Sequence, residues 1–286
     1  ASKNHSFKMQ KGQAEEHRVK FSYNFYMMKT EVTNEFNAKH SKKPIPGMAC
    51  STCPKVNISW VDIKDFADTL SRNDGLQPCY SPSSDWGSPS SCDGWRLPTE
   101  SEWEFAATGG YRGSTKISKA TSYLDINSKG KLRPVGQLTA NNFGLYDMIG
   151  NASELVWDKY ANFSKSERTD PIGPKDTSLS SQRIHRGCSY EKSKARCMTM
   201  RIPFGANSTD SSIGFRLVRT QMSGKNINPT ITVHATGKKG SGACSGFFSN
   251  SCHNEVLIDS KNQSFTMQKG QEEEHRVKFS YNFYMM

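Results

Sequence analysis

The chain has 286 residues, of which 34% are hydrophobic and 10% aromatic, and carries 38 Lys plus Arg against 27 Asp plus Glu, a formal net charge of +11. That length is enough for one large domain or two small ones. No apolar run reaches the length of a bilayer-crossing helix, which excludes a transmembrane segment of that kind. The basic excess is scattered, with no helix-long stripe and no nucleic-acid motif, which argues against nucleic acid as the partner.

In chain order, the first legible element is a strand. Val19, Phe21, Tyr23 and Phe25 alternate with polar residues, the period of a half-buried strand. Within residues 55–71, Ile63, Phe66, Ala67 and Leu70 recur at i, i+3, i+4 and i+7, and Ser59 with Asp62 has capping-box spacing, so a helix is expected to begin there. A second helix is announced by RLPTESEWEFAATGG at 96–110, with Thr99 as N-cap, Glu102 three residues on, and Gly109-Gly110 as a stop. The rest is rich in Gly, Ser, Asn and Pro. The expected class is therefore α+β: loop-rich, with two short helices and small antiparallel sheets.

Eight cysteines fall into four close pairs, Cys50 with Cys53, Cys79 with Cys92, Cys188 with Cys197, and Cys244 with Cys252. Neither a thioredoxin-like context around Cys50 and Cys53 nor a zinc-ligand histidine spacing accompanies them, so disulfides in an oxidising compartment are the expectation. The local pairing is one choice among about 105 connectivities.

The most specific feature is a repeat. Residues 2–28 return at 260–286, a period of 258 residues, with changes only at His5/Gln263, Lys8/Thr266 and Ala14/Glu272. The second copy carries the same aromatic alternation at Val277, Phe279, Tyr281 and Phe283, and 28 residues from 259 onward are too few to bury that face alone. Two arrangements follow: a longer covalent array, or a tail that packs on a neighbouring subunit as an added strand. The third possibility is a boundary that cuts an ordinary tandem protein.

The ordered series FYMMKTEVTNEF (25–36), KVNISWVDIKDF (55–66), GWRLPTESEWEFAATGG (94–110), VGQLTANNFGLYDMIGNASELVWDKY (135–160), IHRGCSY (184–190) and SSIGFRLVR (211–219) resembles the formylglycine-generating enzyme family, also called the sulfatase-modifying-factor domain. Members look like elaborated C-type lectin folds. The resemblance implies a domain at 1–220; beyond it the Gly/Ser/Asn-rich stretch 221–258 reads as a connector with a short strand (Ile231, Val233, Ala235) and a loop tied by Cys244 and Cys252, and the repeat makes 259–286 the start of the next repeat or an exchanged strand.

Oxidase members of the family hold copper between two cysteines spaced C-x-x-x-x-C. Here Cys188 and Cys197 lie nine positions apart, and Cys188 stands where the family's RGGS motif has glycine, so a disulfide is favoured over a copper site. A second enzyme branch uses an H-x-x-x-H-x-E iron site, and no such cluster occurs among the seven histidines. The family's GLYDMIGNxxE loop binds structural calcium, which implies Asp147, Gly150, Ala152 and Glu154 as ligands. The alternative is that Glu154 pairs with an arginine such as Arg216. The family's substrate groove lies near 188–212, which implies Tyr190, Lys192, Lys194, Arg196 and Arg201 as candidates for binding a glycan or cell-surface ligand.

The expected function is a non-catalytic, secreted or cell-surface structural and adhesion module that associates head to tail with copies of itself. The alternatives are a copper-dependent oxidase of the formylglycine-generating type and a single-copy carbohydrate-binding lectin.

Overall fold

The computed structural model describes residues 5–8, 18–41, 50–80, 88–109, 128–162, 166–174, 182–191, 197–222 and 255–258. In chain order these hold β1 (His5–Lys8), β2 (Arg18–Phe21), β3 (Asn24–Met28), α1 (Asn34–His40), α2 (Trp60–Asn73), a 3-10 turn at Pro89–Ser91, α3 (Glu100–Ala107), β4 (Ser153–Lys159), β5 (Arg168–Thr169), β6 (Gln182–Arg186), β7 (Ile202–Gly205), β8 (Ile213–Gly214), β9 (Val218–Gln221) and β10 (Glu255–Ile258).

The expected strand through Val19 and Phe25 forms as two, β2 and β3, because the chain bends at Ser22. That bend is fixed by Asp170, which accepts from both the Ser22 amide and its hydroxyl. The alternation nevertheless sorts burial as the period requires: Val19, Phe21, Tyr23 and Phe25 all point inward.

Three small sheets result, in strand orders β1-β2-β5, β10-β3-β9 and β7-β6-β4-β8. They are not purely antiparallel as expected. The two-residue strands β5 and β8 run parallel to β2 and β4, since each is a brief touch of a returning loop rather than the arm of a hairpin.

Both expected helices form, with the caps their sequences announce. Ser59 accepts from the Asp62 amide while Asp62 reaches back to the Ser59 amide, so α2 starts at Trp60. Thr99 and Glu102 close the same box at α3. A third helix, α1, corrects the expectation of two. Its cap is Thr33, whose hydroxyl accepts from the Phe36 amide.

The core divides into two large clusters and a small one of Val19 and Phe21 under Phe105. Of the large two, one gathers Phe25, Met27, Trp103, Val156 and Ile184, and the other Trp60, Ile63, Phe66, Leu70, Trp95 and Phe215. In the second cluster the α2 stripe packs against strands, Trp60 Nε1 donates to the Val156 carbonyl at 2.9 Å, and Tyr80 stacks on Trp157 with ring centroids 4.6 Å apart.

Disulfides join Cys50 to Cys53, Cys79 to Cys92, and Cys188 to Cys197, the local pairing expected. Cys244 and Cys252 lie outside the described residues, as do the strand expected around Ile231 and the second-copy residues Val277, Phe279, Tyr281 and Phe283. Within the stretch read as connector, the described strand is β10, paired antiparallel to β3.

Candidate functional site

The loop between Phe143 and Asn151 is where the sequence motif, the backbone and the buried charges meet. Asp147 and Asn151 adopt left-handed φ values of 56° and 57°, with Gly150 between them at 84°. Such a conformation is uncommon for side-chain-bearing residues, and asparagine and aspartate tolerate it best. The turns are held from outside. Asp147 Oδ2 accepts from the Gly136 amide at 2.6 Å, the Asn151 carboxamide bonds Arg133 through both its oxygen and its nitrogen, and the Gly150 amide donates to the Gly187 carbonyl at 2.9 Å. The last bond lays this loop against the Gly187-Cys188 turn.

Glu154, at the start of β4, is wholly engaged. Arg216 donates to its Oε1 from Nη2 at 2.7 Å and to its Oε2 from Nε at 2.8 Å, and Trp103 Nε1 adds a third donor to Oε2 at 2.7 Å. Arg216 spends its remaining hydrogens on the carbonyls of Met28, Lys29 and Tyr146. The pairing with Arg216, one of the two readings the sequence left open, is the one in place. Both Glu154 oxygens thus accept from Arg216, and Oε2 from Trp103 as well.

Asp147 Oδ1 and Glu31 Oε2 are buried nearby, where no amide, hydroxyl or cationic group reaches them and the two carboxyls bond each other. Glu31, unflagged by sequence, receives the Ala152 amide at Oε1 over 3.4 Å. Burial, and then the charges of Asp147 and Glu154, push its carboxyl well above the ordinary range; burial likewise raises Asp147. Among the described residues no cluster of three or more His, Cys, Asp or Glu side chains forms a ready metal cage.

The segment expected to bind a ligand divides in two. Arg201 is buried, not presented. Its Nε and Nη2 grip both oxygens of Glu100 at 2.6 and 2.8 Å, and Nη1 donates to the Ala161 carbonyl. It belongs to a charged knot under α3, in which Arg186 also donates to Glu100 at 2.9 Å and to Glu104. Tyr190 is half-exposed and fixed by its backbone, its amide donating to the Asn151 carbonyl. Lys192, Lys194 and Arg196 lie outside the described residues.

The acids of α3 were the signal that sequence reading missed. Glu100 and Glu104 stand four apart on one helical face, and that face turns inward because two arginines from β6 and the 197–201 turn meet it. Asp158, on β4, completes the knot by accepting the Glu100 amide at 2.7 Å. Burial first, and the Glu100 charge second, push the Asp158 carboxyl up to about 8.

Cys188 and Cys197 have no thiolate to offer, since they are bonded to each other. A C-x-x-x-x-C pair ending at Cys197 would need a cysteine at position 192, which is lysine. The residues present do not fit a two-thiolate copper site. Cys188 sits at φ 59°, directly after Gly187 at 93°, and a left-handed pair is what a Gly-Gly sequence accommodates without strain. Gly187 itself has no room for a side chain, for a Cβ there would meet Met148 O and Trp103 Cζ2 at 3.0 Å.

The chain matches the sulfatase-modifying factor enzyme 1-like domain over residues 3–221. It is 26% identical over 257 residues to the chaperone protein LppX of Paenibacillus barcinonensis, a match covering 76% of this chain and 87% of that protein. To the formylglycine-generating enzyme of Bos taurus it is 30% identical over 145 residues, covering 43% of this chain and 38% of the enzyme, so it spans well under half of that relative's length. Among solved structures, Treponema denticola variable protein 1 superposes with a TM-score of 0.64 at 27% identity, covering 76% of this chain and 92% of that one. PvdO from Pseudomonas aeruginosa, at 21% identity, a TM-score of 0.58 and coverage of 76% and 92%, shares the fold.

The Asp158 carboxyl has a measurable consequence. Its raised value means the folded chain holds a proton that the unfolded chain releases near the ordinary Asp range. The stability this contributes is full below that range and is lost as pH rises through about 8. Urea unfolding across that window is expected to show a downward component approaching about 1.4 kcal/mol per pH unit, absent in Asp158→Asn. Parallel curves for the two proteins would contradict the assignment.

Proposed function

The chain belongs to the sulfatase-modifying factor enzyme 1-like domain family, and from that premise we propose that it is a non-catalytic extracellular module for structure and adhesion, associating head to tail with copies of itself. The observation that carries the reading is the Cys188–Cys197 disulfide, with Lys192 where the partner thiol of a C-x-x-x-x-C pair would stand. Copper chemistry of the oxidase kind needs two soft thiolates converging on one ion. A disulfide withholds both.

Three disulfides within one domain suit an oxidising compartment, which supports a secreted or surface location. Ligand recognition falls to the loop that follows Cys188. Tyr190, together with Lys192, Lys194 and Arg196, forms a basic and aromatic segment suited to an anionic glycan or an acidic cell-surface group. Arg201 is left out of that set because Glu100 already takes its charge.

For calcium, the supporting feature is the meeting of the Asp147 and Glu31 carboxyls, two of whose buried oxygens take no donor from the rest of the fold. Asp147, Glu31 and the backbone carbonyls of Gly150 and Ala152 would hold the ion, with Glu154 left to Arg216. Its contribution would be to neutralise two buried acids and fasten the 147–151 loop.

Two outcomes are expected. Peptide mapping of unreduced, alkylated protein is expected to recover Cys188 linked to Cys197, with no stoichiometric uptake of Cu(I); both residues alkylated, and one copper per chain, would favour the oxidase. Chelation by EDTA is expected to lower Tm by several degrees and added Ca2+ to restore it, whereas an unchanged Tm would mean that the Glu31–Asp147 pair is stabilised by a proton alone.

A further inference from the structure

β10 lies where the repeat, not the connector, would put it. By the 258-residue period, Ile258 corresponds to the place immediately before Ala1. In the β1–β2 ladder His5 faces Phe21 and Lys8 faces Arg18; in the β10–β3 ladder Ile258 faces Phe25 and Glu255 faces Met28. Extending the first register backward would bring the position of Ile258 opposite Tyr26, one residue from where it is found. Four residues, 259–262, separate Ile258 from Gln263, the repeat equivalent of His5, and three, Ser22 to Asn24, separate Phe21 from Phe25. Four against three is the count of a single bulge.

β10 is therefore the opening strand of the repeated unit, laid along β3 as though it ran on into β1 of the same hairpin. Yet by sequence it leads into the second copy. The residues it faces, NFYMM at Asn24–Met28, recur unchanged as NFYMM at 282–286. Its backbone ladder is indifferent to which of the two it meets.

Nothing in the length of the connector forces the pairing within one chain. β9 and β10 flank β3, so their separation is two strand spacings, roughly 10 Å. Residues 222–254, extended, can reach on the order of 100 Å. A four-residue edge strand bonded to a single neighbour is also among the first elements of a fold to open.

We propose that Glu255–Ile258 is a donor strand exchanged between molecules, in which β10 of one copy occupies the edge of β3 in the next and links the copies head to tail. The edge of β3 is the interaction surface, and its occupant is a second copy of this chain. This deepens the self-association proposed above and gives it a mechanism.

The test uses the full chain in two variants, Leu257→Cys and Tyr26→Cys, since Leu257 stands opposite Tyr26. The two are mixed and treated with a short bis-maleimide, and cross-linked peptides are mapped. A mixed dimer joined 257 to 26, whose yield rises with concentration, is the expected result. Two controls carry both cysteines on one chain: Leu257→Cys with Tyr26→Cys, and Leu257→Cys with Tyr284→Cys. A 257–26 link confined within single chains at every concentration, a 257–284 link within one chain in place of the intermolecular one, or no link at all, each overturns the exchange. Light scattering on the unmodified protein separates the two levels. Assemblies without the 257–26 link leave head-to-tail association standing with another contact, and a particle that stays monomeric removes both.

Discussion

The Glu154–Arg216 pair is the interaction on which the rest of the domain depends. Both side chains are out of contact with solvent, so each charge has lost its hydration and must be compensated inside the protein. The compensation is complete. Glu154 takes three donors, and Arg216, after satisfying it, ties down carbonyls at the end of β3 and in the 141–147 loop. Removing one partner strands a buried charge, typically at about 3–5 kcal/mol. The pair thereby fixes the relative position of β3, β4, α3 through Trp103, and the 147–151 loop. The second knot, Glu100 with Arg186 and Arg201, does the same work beneath the first turn of α3. This fold replaces part of an apolar core with a specified set of charges, which suits a chain whose hydrophobic content is only 34%.

That economy explains what could be read in advance. The α2 stripe of Ile63, Phe66, Ala67 and Leu70 and the two capping boxes are local signals, and local hydrogen bonds and periodicity set them. The inward alternation of β2 and β3 was equally legible, because side-chain direction in a strand follows from the backbone alone. The break at Ser22 was not, for its cause is Asp170, 148 residues away. α1 escaped because its seven residues bury little, and its start rests on a single threonine. Arg201 looked like surface charge for the same reason that Glu100 and Glu104 did. In sequence a charge carries no mark of burial, and only the partner across the fold supplies one.

The candidate site shows the same division. Asp147, Gly150 and Glu154 were marked by their motif, and the fold does bring them together, but their roles are set by groups the motif does not contain. Arg216 claims Glu154, and Glu31 arrives from the far end of the chain to face Asp147. At the neighbouring turn the scaffold demands left-handed residues. Cys188 accepts a backbone conformation suited to glycine, and the disulfide to Cys197 fastens the turn. On the reading proposed above, the architecture is retained and no pair of free thiols remains at this turn to hold copper.

The most direct measure of that claim is an oxidation assay on the native, unreduced protein, supplied with Cu(I), oxygen and a cysteine-containing sulfatase peptide, with the peptide read by mass spectrometry. The account predicts that the peptide emerges with its cysteine unchanged. Conversion of that cysteine to formylglycine at a rate above the copper-only control would contradict it.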